Sequence, residues 1–166
     1  SATQSATSYT ITATNGSGST TAPLSITVAA LPSWDSTAVV AGVTLSNSNL
    51  TASIIGAKST RANYGKSSGK WYWELTINQN ATTYATMGIG NSSASLNTYV
   101  GADANGWGMS AANGNKYNSA VGQGFGSALT VGDVIGFALD ASSEKLDVYK
   151  NGTRITAGSM LTGLTT

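Results

Sequence analysis

Cysteine and histidine are both missing from this sequence. Without cysteine there are no disulfides, thiol nucleophiles or thiolate metal sites, and the redox compartment stays open. Without histidine the commonest general base near neutral pH and the commonest metal ligand are gone. Charge is scarce as well: 9% of the residues are charged, against roughly 25% in an ordinary soluble domain. The net charge of +1 leaves no electrostatic footprint for nucleic acid or an anionic membrane. No run approaches the ~18 apolar residues of a membrane span, and no basic start precedes an apolar signal core. Nucleic-acid binding, membrane insertion, a metal and a cofactor are all left out of the expectations.

What remains is Ser, Thr, Asn and Gly, with apolar residues alternating in short runs. That is the pattern of antiparallel strands, and nothing reads as a long amphipathic helix. "SYTITAT" (8–14) and "LSITVA" (24–29) flank "NGSG" (15–18) as a hairpin too short to bury its apolar face alone. "AALPSW" (29–34) reads as a junction, because Pro32 cannot donate into a ladder. Beyond it, "AVVAGVTLS" and "LTASIIG" open a second series of strands. "KWYWELTI" (70–77) sets Trp71, Trp73, Leu75 and Ile77 on one face and Tyr72, Glu74 and Thr76 on the other. "YATMGIG", "GWGMS", "DVIGFALD" and "KLDVYK" follow. "NG" at 151–152 is a strong hairpin signal, since a type I′ turn needs positive φ at both central residues. The expected fold class is all-β, an antiparallel two-sheet β-sandwich with loop-rich ends, and Trp71, Trp73, Trp107 and Phe137 are assigned to its core.

Four of the seven carboxylates, Asp133, Asp140, Glu144 and Asp147, fall in "VGDVIGFALDASSEKLDVYKNG" (131–152). Asp133 and Asp140 stand at turns, where a short carboxylate accepts backbone N–H bonds. Glu144 is at a loop tip, and Asp147 alternates with Leu146 and Val148 on an outer face. Glycosidase chemistry needs two carboxylates converging ~5–9.5 Å apart across a cleft, and a calcium site needs about six to eight oxygens. The cluster reads as hairpin chemistry. Tyr64, Tyr99 and Tyr117 lie instead in polar Gly/Asn-rich segments, where a rigid amphipathic ring suits a contact surface. Loops 61–69, 97–105 and 113–124 are expected to gather at one end, with Tyr64, Tyr99, Asp103, Asn105, Asn115 and Tyr117 as the ligand-contact set.

"SSGKWYWELTI", "MGIGN", "GWGMSAANGNKYN" and "FGSALTVGDVIGFALDASSEKLDVYKNG" occur in an order and spacing that resembles a SPRY domain across roughly residues 35–155. The 1–30 hairpin resembles the last two strands of a bacterial or phage immunoglobulin-like domain. The resemblance implies residues 1–30 as a partial immunoglobulin-like unit, 31–34 as a linker, and 35–166 as a SPRY-like sandwich lacking its final strand. The chain would then be a piece of a larger protein, the open edge completed by chain beyond Thr166 or by a neighbouring subunit in a homo-oligomer. The resemblance also implies a non-enzymatic binding or structural module on a phage virion, in a tail fibre, tail or capsid appendage. Its partners would be a host-surface glycan or protein, or neighbouring virion proteins. A bacterial cell-surface adhesin is the alternative, and a glycan-cleaving sandwich enzyme, with Glu74 as its carboxylate, the lesser one.

Overall fold

The computed structural model describes residues 7–15, 17–26, 32–79, 84–155 and 158–161. All regular structure among these is strand, and the chain divides into two compact units, Ser1–Ser33 and Trp34–Thr166.

The first unit holds one hairpin. β1 (Thr7–Asn15) pairs antiparallel with β2 (Gly18–Ile26), from Thr7↔Ile26 to Asn15↔Gly18. The second strand therefore begins at Gly18 and not at Leu24, because the register closes directly onto a two-residue connection. Pro23, opposite Thr10, is admissible inside β2 because each strand of a two-stranded sheet has an open side. The stretch 27–29 of the expected second strand lies outside the described residues.

The second unit begins at Trp34, whose N–H donates to the Asn49 carbonyl (2.8 Å) and which bridges Ala62. β3 (Val43–Ser46) and β4 (Thr51–Ile54) form a short hairpin, trimmed from the longer runs expected. Its turn is left-handed at Asn47, Ser48 and Asn49, a conformation that Asn tolerates better than most residues. Two four-stranded antiparallel sheets follow. One has the order β12-β11-β10-β5, built from β5 (Lys70–Thr76), β10 (Val134–Asp140), β11 (Lys145–Lys150) and β12 (Thr153–Arg154). The other has the order β6-β7-β8-β9, built from β6 (Thr86–Gly90), β7 (Gly106–Ser110), β8 (Lys116–Asn118) and β9 (Val121–Gln123). The turn from β11 to β12 has positive φ at Asn151 (50°) and Gly152 (77°), as the Asn-Gly pair requires.

The alternation in sequence becomes a core between the two sheets. Ile135 and Phe137 of β10 and Leu146 and Val148 of β11 are fully buried, facing Met109 of β7, with Met87, Ile89 and Trp107 packed around them. Trp73 stacks on Phe137 with ring centroids 5.3 Å apart. Trp71 departs from the expectation: it is outside this cluster, with its indole N–H donating to the Ser68 carbonyl (2.7 Å) and its ring against Tyr64. As the second residue of β5 it reaches past the layer that Phe137 fills.

The β6–β9 sheet is covered on its outer side too. A Cβ at Gly108 would stand 2.1 Å from the Val100 carbonyl oxygen, so only glycine lets the connection between β6 and β7 cross the sheet this closely. That connection is tied down where the Ala120 N–H meets the Gly101 carbonyl and the Asn118 amide meets the Ala104 carbonyl (3.4 Å).

The edge of β11 is occupied by chain that follows the Asn-Gly turn. After β12, the Ile155 N–H donates to Val148 and the Met160 N–H to Leu146 (2.7 Å), while the Leu146 N–H donates to Ser159 Oγ. Met160 is fully buried in the core. The expectation that a final strand is lacking, to be supplied from beyond Thr166 or by a neighbouring subunit, lies outside the described residues. Met160→Ala should cost about 2–5 kcal/mol in urea denaturation of the whole chain. A loss below about 1 kcal/mol would mean that this segment does not complete the core.

Candidate functional site

The acidic stretch resolves into turn and cross-strand pairing. Asp133 accepts from the Thr130 N–H (2.7 Å) and the Asn151 amide (2.8 Å) and pairs with Lys150 at 3.0 Å. Asp140 accepts the N–H groups of Ser142 and Ser143 and faces Lys70 at 3.7 Å. Its bonds to Ser143 lead in holding its carboxyl below the usual range. Asp147 lies between Arg154 (2.7 Å) and Lys145 (3.1 Å). Burial pushes its carboxyl up, and these two cations outweigh it. Glu144 sits at the loop tip with φ +51° and is exposed. The remaining strand carboxylate, Glu74, accepts the Tyr72 hydroxyl at 2.7 Å, a bond that raises the Tyr72 pKa. Among the described residues no group of three or more acids is placed to hold a metal ion.

The tyrosines make a different arrangement. Tyr99 stands in the connection that crosses the β6–β9 sheet, and Tyr117 stands on β8. Their rings meet edge to face at 6.1 Å, and Tyr84, just before β6, stacks on Tyr99 at 6.1 Å. The row Tyr84–Tyr99–Tyr117 runs from an exposed ring to two half-buried ones. The other expected contact residues hold its backbone. Asp103 accepts the N–H groups of Ser95 (2.8 Å) and Asn105 (2.9 Å), and Asn105 Oδ1 accepts the Asn91 amide. The Asn115 carbonyl accepts the Ser110 N–H, and the Tyr117 hydroxyl accepts the Asn113 amide. Asp103 and Asn105 are thus largely committed to loop geometry, and of the three rings Tyr84 is the exposed one.

Residues 58–61 clamp the approach to Tyr99. Arg61 Nη2 donates to the Ala94 carbonyl (2.9 Å), Lys58 Nζ to Asn97 Oδ1 (3.1 Å) and the Ser59 hydroxyl to the Thr98 carbonyl. Loops 97–105 and 113–124 therefore meet, joined also by the Ser119 N–H on the Asp103 carbonyl. Tyr64 makes its ring contacts apart from this row, with Trp71 at 5.9 Å and with Lys66, whose Nζ lies 4.2 Å from the Tyr64 centroid. Tyr84 was missed by sequence reasoning because it directly precedes a strand and reads as part of it. Its stacking on Tyr99 depends on residues fifteen apart in a crossing connection, which no local pattern encodes.

A protein-family model described as SPRY domain matches residues 70–161, more than half of the chain. The match begins at the first residue of β5 and ends beside Met160, so it takes in both four-stranded sheets and the segment that edges β11. A search of curated proteins finds no match.

The pairing of Asp133 yields a pH dependence. The Thr130 backbone N–H, the Asn151 amide and the Lys150 ammonium, in that order, hold its carboxyl far below the ordinary range. With the folded value depressed, its stabilisation is complete above the unfolded carboxylate value of about 4 and drains away as pH falls below it. Thermal melts at stepped pH should show Asp133→Asn less stable than the parent at neutral pH, with the gap narrowing in acid. A gap constant with pH would remove this role.

Proposed function

The chain belongs to the SPRY domain family, whose members mediate protein–protein interactions, and from that premise we propose a non-enzymatic binding module that takes a protein partner on the row Tyr84–Tyr99–Tyr117. The observation that carries the reading is the row itself. Tyr84 is 48% exposed and rests on a ring that is itself seated on a third, in a connection held from the 58–61 side. An aromatic surface already fixed in place loses little conformational entropy on binding, which is what makes tyrosine an effective anchor. The Asn113 side chain, whose amide donates to the Tyr117 hydroxyl, sets a polar group beside it.

The finer reading places this module on a phage virion, in a tail fibre or other appendage, behind an immunoglobulin-like unit to which the β1–β2 hairpin belongs. Its support is the Ser/Thr/Asn/Gly composition without cysteine, together with the "YTITATNGSG" hairpin sequence. Mass spectrometry of purified particles is the test of location. Peptides of the chain are expected in the particles, and their recovery in the bacterial envelope alone would replace the virion with a surface adhesin.

For the binding surface, the immobilised full chain and its Tyr84→Ala variant are compared for retention of host-surface and virion proteins, with the captured partner then titrated by biolayer interferometry. Tyr84→Ala should weaken binding about tenfold or more with an unchanged melting temperature, since the ring is on the surface. Equal binding by the two would refute the assignment of the partner to this row.

A further inference from the structure

The two sheets differ on their outer sides. The β6–β9 sheet is crossed by a connection, whereas the outer face of the β12-β11-β10-β5 sheet presents its residues in three cross-strand rows, from exposed to half-buried. These are Glu74–Gly136–Tyr149–Arg154, Tyr72–Ala138–Asp147 and Lys70–Asp140–Lys145. Nothing in the tyrosine row described above uses this face.

Tyr72 is its most exposed aromatic, at 57%, yet it is held from three directions. Its hydroxyl donates to Glu74 at 2.7 Å, and Tyr149 meets its ring edge on at 6.4 Å. The ring also lies over Gly136, where an added Cβ would stand 2.3 Å from the hydroxyl oxygen. Glycine inside a strand weakens it and marks a close approach, and here the approaching group is an exposed aromatic ring. Leaning toward Gly136, Tyr72 leaves a shallow open groove of about 400 Å³ beside it, with Ala138 between Tyr72 and Asp147. The far side of the groove is formed by the ion pairs Lys70–Asp140 and Lys145–Asp147.

We infer that this groove is a binding site for a neutral saccharide chain, separate from the protein-binding row. The charge arrangement selects the ligand class. Lys70, Lys145 and Arg154 are matched by Asp140, Asp147 and Glu74, and five of the six are in ion pairs with one another. A charged ligand of either sign meets a like charge and must break a pair, whereas a neutral polyol need not. The carboxylates accept and the ammonium groups donate. A sugar hydroxyl, being both donor and acceptor, fits between the members of each pair. The fixed ring offers the apolar surface that the C–H face of a pyranose needs. The open sides of the groove suit an internal stretch of a polysaccharide better than an enclosed small molecule.

Native-gel affinity electrophoresis of the full chain tests this, with soluble galactomannan, mixed-linkage β-glucan and dextran as neutral matrices and alginate as an anionic one. Retardation is expected in at least one neutral gel. Tyr72→Ala and Ala138→Leu, the latter filling the groove, should each reduce the apparent affinity about tenfold or more. Tyr72→Trp should retain it, and Tyr84→Ala should leave it unchanged, so that this site and the protein-binding row stand or fall separately. Migration unaffected by every neutral matrix would overturn the site, as would retardation confined to alginate. Retardation that survives both Tyr72→Ala and Ala138→Leu would overturn it too.

Discussion

The packing of Phe137 between the two sheets is the contact on which the second unit depends. Its ring stacks on Trp73, its strand neighbour across β11 is Val148, and Met109 of the opposite sheet belongs to the same buried cluster. Burying a side chain of this size contributes about 1.5–3 kcal/mol, and the ring also fixes register. A slip of one residue in β10 would turn Ile135 and Phe137 outward and bring Gly136 and Ala138 in. The outer groove and the inner core are therefore two faces of one register. Small residues can occupy the outer positions of β10 only because the inner ones supply the hydrophobic burial.

The sheets solve the problem of their outer sides differently, and the difference yields two kinds of surface. Over β6–β9 the crossing connection needs glycine at 108 for backbone clearance, and in return it brings Tyr99 against Tyr117 and Tyr84. Over β12-β11-β10-β5 the outer positions are filled by ion pairs and by Tyr72, which leans over Gly136 against Tyr149. The first surface is a ridge of stacked rings, the second a groove beside a single ring. In both, the exposed aromatic is seated on backbone or on another ring, which would leave a ligand less ordering to do.

The acidic stretch illustrates how charge is distributed when there is little of it. Asp133 and Asp140 serve turns, and Asp147 joins Lys145 on its own strand to Arg154 on β12. The exposed pairs add little to stability, but Asp133, buried and bonded to Thr130, Asn151 and Lys150, ties the entry of β10 to the β11–β12 turn.

Local chemistry was legible in the sequence by itself. Period-two alternation placed β5, β10 and β11 and, Trp71 apart, their inward residues, because a strand's faces are set by its own backbone geometry. Asn151-Gly152 marked a hairpin because positive φ is a property of the residue, and the turn roles of Asp133 and Asp140 were readable for the same reason. What lies between distant segments was decided only in the tertiary structure. Met160 enters the core from a stretch with no strand pattern, guided by its own N–H on the Leu146 carbonyl and by the neighbouring Ser159 hydroxyl, whose partner is set by the fold and not by local sequence. Tyr84 joins Tyr99, while Tyr64 turns to Trp71 and Lys66, because ring contacts follow the course of the connections and not the composition of the loops that carry them. The outer groove was equally invisible: Ala138 and Gly136 read as unremarkable strand residues until Tyr72, on the neighbouring strand, is seen to lean across one and leave the other uncovered.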